Sequence, residues 1–110
     1  MKRKTLILII IGMLLFATSA SYATDLRGRI DGRHPYAPYP FPLNGARIDL
    51  YAMSPRGWIL IRTTFTGPDG MYYLARIGAG QYNLQVNGIL NFPLFVNNQA
   101  YQDIPPILFQ

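Results

Sequence analysis

The 110-residue chain has no cysteine and one histidine. Disulfides, thiol nucleophiles and lipid attachment through an N-terminal cysteine are therefore excluded. Glutamate is absent, so all five acidic residues are aspartates, and lysine occurs only as Lys2 and Lys4. Past residue 23, Ser54 is the only serine and His34 the only histidine, which leaves a Ser-His-Asp triad one candidate for each of its first two members. One histidine and scattered aspartates make neither a zinc nor a calcium ligand set. No cofactor or metal is expected, and the composition speaks against an enzyme. A long apolar run is missing as well. The stretch Leu6–Leu15 is shorter than the roughly 20 residues a spanning helix needs.

What is present begins with Lys2, Arg3 and Lys4, followed by that apolar run and then by Ala17, Thr18, Ser19 and Ala20. A positive start, a short apolar stretch and small residues define a secretory signal peptide. Ser21 and Ala23 offer small side chains before a cut after Ala23, and Thr18 and Ala20 offer the alternative cut after Ala20. Residues 1–23 are thus expected to be the signal peptide and 24–110 one mature domain. With seven Arg and five Asp, that domain has a formal charge of +2. A chain this small without a disulfide must be held by its own core.

Period-two alternation dominates the mature chain. Ala46, Ile48 and Leu50 alternate with Arg47, Asp49 and Tyr51, and Tyr82, Leu84 and Val86 alternate with Asn83, Gln85 and Asn87. Each pattern predicts a half-buried strand. A first strand over 26–31 puts Gly28 and Ile30 on one face and Arg27, Arg29 and Asp31 on the other. Two β-rich runs, 58–66 and 71–77, flank Gly67-Pro68-Asp69-Gly70, a hairpin signal. The extended segments 92–96 and 101–109 carry Pro93, Pro105 and Pro106, which confine them to edges or partial strands. Apolar residues nowhere recur with helical spacing. Seven short strands predict an all-β sandwich.

Pro42-Leu43-Asn44-Gly45-Ala46-Arg47-Ile48-Asp49-Leu50, then Asp69-Gly70-Met71-Tyr72-Tyr73-Leu74, then Gly80-Gln81-Tyr82-Asn83-Leu84-Gln85-Val86 stand in register over about residues 26–96. Together they resemble the carboxypeptidase regulatory-like domain. The resemblance implies a seven-stranded Greek-key sandwich of the transthyretin-like or prealbumin-like kind, usually non-catalytic and secreted or envelope-located. Two related classes lack their key residues here. The transthyretin-like hydrolase of 5-hydroxyisourate uses several His and Arg and ends in Tyr-Arg-Gly-Ser, whereas this chain ends Ile107-Leu108-Phe109-Gln110. Collagen-adhesin B domains are locked by a Lys-Asn isopeptide bond, and the mature chain has no lysine.

The candidate binding residues are Tyr36, Tyr39 and Phe41, within His34-Pro35-Tyr36-Ala37-Pro38-Tyr39-Pro40-Phe41-Pro42. Dense proline favours polyproline-like geometry. The rings either cap one open end of the sandwich or form a stiff strip for a protein groove or a sugar ring. The segment 92–96 offers a second contact, a free strand edge. Trp58 is expected to start the core of its strand, His34 to be a solvated loop residue, and Arg27, Arg29 and Asp31 to pair with Arg47 and Asp49 across strands. The function implied is a non-catalytic binding or structural accessory of the bacterial cell envelope, periplasmic or secreted. Its partner would be an envelope protein or a glycan, with self-association open; nucleic acid is not expected, since the charge is small and dispersed. Intact-mass measurement of the exported protein should find an N-terminus at Thr24 or Ser21, and a membrane-embedded species retaining Met1 would refute export with cleavage.

Overall fold

The computed structural model describes residues 23–36 and 38–110; the expected signal peptide lies outside them except for Ala23. The strands are β1 (Ala23–Gly32), β2 (Phe41–Pro42), β3 (Arg47–Ser54), β4 (Gly57–Phe65), β5 (Met71–Gly78), β6 (Gly80–Val86), β7 (Leu90–Val96), β8 (Tyr101–Asp103) and β9 (Ile107–Phe109). The described residues contain no helix. Nine segments replace the seven expected, because Phe41–Pro42 adds a short bridge and Pro105-Pro106 splits the last run in two.

The strands form two sheets. In the first, β1 pairs antiparallel with β2 and β5 and parallel with β8 and β9. The second has the order β4-β3-β6-β7, antiparallel throughout. Alternation does the sorting. Along β1, Thr24, Leu26, Gly28 and Ile30 are buried while their neighbours are exposed. Leu26, Ile30, Tyr72, Leu74, Ile77, Ile104 and Ile107 from the first sheet meet Ile48, Leu50, Tyr82, Leu84, Val86, Leu94 and Val96 from the second. Each side chain of this kind contributes roughly 1.5–3 kcal/mol when removed from water.

Tyr72 and Gly28 fit together within this core. A Cβ on Gly28 would overlap the Tyr72 ring, so the missing side chain is the space the ring fills. The Tyr72 hydroxyl is buried and has no hydrogen-bond partner among the described residues. Tyr82 solves the same problem differently: its ring is buried and its hydroxyl donates to the Gly78 carbonyl at 2.6 Å.

Two expectations are corrected by the sheet assignment. The turn at Gly67–Gly70 forms, with Gly70 N–H donating to the Gly67 carbonyl at 2.9 Å, the Asp69 carboxylate accepting from Met71 N–H at 3.0 Å, and Gly70 at φ 76°. It does not make a hairpin, because β4 belongs to the second sheet and β5 to the first. Buried Thr66 ties the end of β4 to the start of β3, its hydroxyl accepting from Ala46 N–H and donating to the Leu43 carbonyl. On the other side of the turn, Ile30 N–H takes the Gly70 carbonyl at 2.8 Å and hands β5 to β1. The hairpins proper are β3–β4, around Pro55-Arg56, and β6–β7, where Asn87 and Gly88 have φ 53° and 70°. An Asn-Gly pair with both residues at positive φ suits the twist of a two-strand turn.

The expected charge matching between the first and second alternating strands is absent for the same reason: β1 and β3 lie in different sheets. Each arginine finds an aspartate elsewhere. Arg29 bonds Asp31 at 2.7 Å and Arg47 bonds Asp49 at 3.0 Å, both two residues along one strand face, and Arg27 bonds Asp103 of β8 at 3.0 Å.

Three substitutions test this packing by urea titration. Gly28→Ala should cost on the order of 1–3 kcal/mol through overpacking. Tyr72→Phe should match or exceed the parent, since it removes an unpaired buried hydroxyl. Tyr82→Ala should cost about 3–5 kcal/mol while outward Asn83→Ala costs little. Burial raises the Tyr72 hydroxyl well above the usual tyrosine value, and it also raises Tyr82, against a small opposing effect of Arg62. The protonated form is therefore favoured in the folded state. The stability contributed by these two hydroxyls should be fully present below about pH 10 and be lost above it, where the unfolded chain ionises first. Tyr72→Phe should reduce that loss.

Candidate functional site

The aromatic loop connects β1 to β2. Instead of running straight, it turns at Pro35-Tyr36 and bends at Pro38-Tyr39, so the expected uniform polyproline geometry is not adopted. Tyr36 N–H points at His34 Nδ1 at 3.4 Å, and the two rings are tilted with centroids 5.9 Å apart. Tyr36 is 91% exposed and Tyr39 77%, whereas Phe41 is 41% exposed, its ring lying over Gly32 beside Leu43. The two tyrosines leave the end of the sandwich uncapped, and only Phe41 packs back onto the sheet. His34 sits in the exposed loop.

Both edges of the second sheet are open, and they differ. In β7, Leu94 and Val96 are buried, Phe95 is exposed, and Pro93 interrupts the row of N–H donors. The β4 edge carries no proline over nine residues, and Trp58, Ile59, Leu60 and Phe65 are each about half exposed or more. Trp58 thus stands at a rim and does not start a core. Its register with Met53, and that of Leu60 with Tyr51 and Phe65 with Arg47, puts these three side chains on the outer face, while Ile59 shares the face of Ala52. The sequence shows this as a loss of alternation: Trp58-Ile59-Leu60-Ile61 is apolar on both faces.

The outer faces hold two depressions. On the first sheet, about 570 Å³ is enclosed by Asp25, Arg27, Tyr73, Tyr101 and Asp103 with neighbouring backbone, and the Arg27–Asp103 pair crosses it. On the second, about 380 Å³ is lined by Tyr51, Trp58, Asn83, Gln85 and Asn91.

Catalytic geometry is not assembled among the described residues. The Ser54 hydroxyl is spent on the β3–β4 turn, donating to the Gly57 carbonyl at 2.6 Å and accepting from Arg56 N–H at 3.2 Å. No three His, Cys, Asp or Glu residues converge among the described residues. No described helix is long and apolar enough to cross a membrane.

No protein-family model matches the chain, and no curated protein matches it. Solved structures do. The N-terminal domain of the shaft pilin spaA from Lactobacillus rhamnosus GG aligns with TM-score 0.58 at 13% identity, over 80% of this chain and 95% of that one. GBS52, the minor pilin of Streptococcus agalactiae, aligns with TM-score 0.58 at 14% identity, over 76% of this chain and 43% of that one. A 9R-lipoxygenase from Cyanothece aligns with TM-score 0.56 at 10% identity over 82% of this chain, but only 17% of its own. At these identities the likeness is one of fold: the chain is a β-sandwich of the kind found in these pilin domains.

Because Tyr36 and Tyr39 stand free, Tyr36→Ser and Tyr39→Ser should each leave urea stability within about 0.5 kcal/mol of the parent. Phe41→Ser should cost more, since it uncovers Gly32 and Leu43. An equal loss at all three would show that the tyrosines cap the fold after all.

Proposed function

We propose that the chain is a non-catalytic structural and binding module of the bacterial cell envelope, exported to the periplasm or beyond and built into assemblies by strand-edge pairing. The observation that carries this reading is the long apolar β4 edge, interrupted only by Arg62 and by a bulge at Ile61. Monomeric sheets protect their edges with prolines, charges or short strands. Here β7 has Pro93, β8 and β9 are three residues each, and β5 buries Tyr72, Leu74 and Ile77 on one face, while β4 presents nine residues without proline or acidic charge, Arg62 its one charged residue, with apolar side chains exposed on both faces. Pairing β4 with β4 of a second copy would satisfy those backbone groups and cover Ile59, Leu60 and Phe65. Similarity to a shaft pilin and a minor pilin supports a building-block role. The quoted motifs support a domain of the carboxypeptidase regulatory-like, transthyretin-like Greek-key type.

The remaining contact surface would be Tyr36, Tyr39 and Phe41, offered to an envelope protein or a glycan. The hydrolase alternative has nothing to act with, since His34 is isolated and Ser54 is engaged in a turn. On processing, β1 favours the cut after Ala20: Ala23 already pairs with Gly78, and the hydroxyl of buried Thr24 lies between the carbonyls of Asn97 at 2.7 Å and Gln99 at 2.6 Å, sharing its one hydrogen between them. A cut after Ala23 would place a charged amino group at this buried residue.

Sedimentation of the mature chain over a concentration series tests the assembly. The parent should form a concentration-dependent dimer. Ile59→Lys, a charge turned toward the neighbouring strand face, should leave a folded monomer, whereas Phe95→Lys on β7 should associate like the parent. A parent that stays monomeric throughout, or an Ile59→Lys variant that associates equally, would overturn edge pairing through β4.

A further inference from the structure

The depression on the outer face of the second sheet meets the β4 edge only at Trp58 and shares no residue with the aromatic loop, and its chemistry is specific. The registers place Tyr51 opposite Asn83, Asp49 opposite Gln85, and Gln85 opposite Asn91, so side chains from β3, β6 and β7 meet on one face, with Trp58 of β4 at its border. Three carboxamides form its β6–β7 side. The Asn91 carbonyl oxygen accepts from Asn83 Nδ2 at 3.0 Å and from Gln85 Nε2 at 3.2 Å. That arrangement leaves the Asn91 amide hydrogens as donors and the Asn83 and Gln85 carbonyl oxygens as acceptors, without side-chain partners among the described residues. Turning any of the amides over would still leave both donors and acceptors on offer.

Charge is withheld from this surface. Asp49, beside Gln85 on the same face, is buried, its carboxylate accepting from Arg47 Nε at 3.0 Å and from the Thr63 hydroxyl at 2.7 Å. An anionic or cationic ligand would find no counter-charge at the amides. A protein partner would be met by an apolar centre with a polar rim, and here rings occupy the β4–β3 half of the depression and amides the β6–β7 half. Mixed donors and acceptors next to aromatic faces complement a ligand that carries hydroxyls, each both donor and acceptor, around a ring with an apolar face.

We infer that this face binds a neutral oligosaccharide, its pyranose rings lying against Trp58 and Tyr51 and its hydroxyls bonded to Asn83, Gln85 and Asn91. The volume of about 380 Å³ is at the small end of ligand sites, about 300–1,000 Å³, which fits one or two sugar units with the rest of the chain running out over the sheet. Extended glycans with equatorial linkages present the flat ring faces this shallow surface needs.

Trp58 is the only tryptophan, so its emission reports directly on the site. The mature protein is titrated with chitohexaose, cellohexaose and maltohexaose, following tryptophan fluorescence and confirming any response by calorimetry. At least one should give a saturable change in Trp58 emission. Asn91→Ala should weaken it at least tenfold and Tyr51→Ala should weaken it comparably, both with circular-dichroism spectra and thermal midpoints like the parent's. A Tyr36→Ser/Tyr39→Ser variant should bind like the parent. No response to any of the three, or a response that survives Asn91→Ala and Tyr51→Ala, would overturn the assignment; loss only in the Tyr36/Tyr39 variant would move the glycan to the loop. Sedimentation of the same samples reads β4 association separately, so failure of either idea is visible without the other.

Discussion

Strand β1 is the constraint from which the rest of the architecture follows. It is hydrogen-bonded to β2, β5, β8 and β9, so every other strand of the first sheet is attached through it. A chain without cysteine cannot staple its ends, and here the C-terminal segment lies parallel to the N-terminal strand instead, joining sequence extremes across the sheet. Parallel pairing of distant segments requires closing a long loop, at an entropic cost that only subsequent burial offsets. That burial is supplied by Ile104 and Ile107 entering the core from the returning segment, and by Thr24, whose hydroxyl is held between the carbonyls of Asn97 and Gln99. Gly28 is the other half of the arrangement, since a side chain there would exclude Tyr72 and part the strand from the core.

With β1 central, the chain's exposed chemistry is divided between edges and faces. The first sheet ends on one side in β5, eight residues that bury Tyr72, Leu74 and Ile77 on one face, and on the other in the three-residue β8 and β9. The second leaves β4 uncovered, and it is this strand that has lost its alternation of polar and apolar residues. A strand that is apolar on both faces is ordinarily buried on both; on a sheet edge it marks surface meant to be covered. The outer face of the same sheet has the contrary character, with amides and hydroxyls beside a neutralised carboxylate. Edge and face are therefore suited to different partners, one to a strand and one to a hydroxylated ring, and both can be occupied at once because pairing at an edge leaves the face open.

Alternation made β1, β3 and β6 legible, including which side chains of each point inward. It made Tyr51, Asn83 and Gln85 outward residues too, but gave no sign that they meet, because their adjacency depends on β3 and β6 pairing across some thirty residues of intervening chain. The Gly-Pro-Asp-Gly turn was equally visible and was read as joining partners within one sheet. Local turn chemistry is the same for a hairpin and for an arch between sheets; Thr66 and Ile30, contacts from elsewhere in the chain, select the arch. Arg29–Asp31 and Arg47–Asp49 form within their strands because residues two apart share a face, while Arg27 reaches Asp103 on the parallel neighbour β8.

The sequence by itself determined the all-β character of the described residues and excluded disulfide and thiol chemistry, since those conclusions rest on residue types and on a period of two, both of which are local. It also determined that prolines would confine 92–96 and 101–109 to edges or broken strands, because a missing N–H is missing in any fold. Which strands would share a sheet, which edge would stand open, and whether Trp58 would be core or rim were decided only in three dimensions. Those outcomes depend on non-local hydrogen bonding and on the competition of apolar side chains for one enclosed volume, in which the apolar run of β4 places only Ile61 against the core.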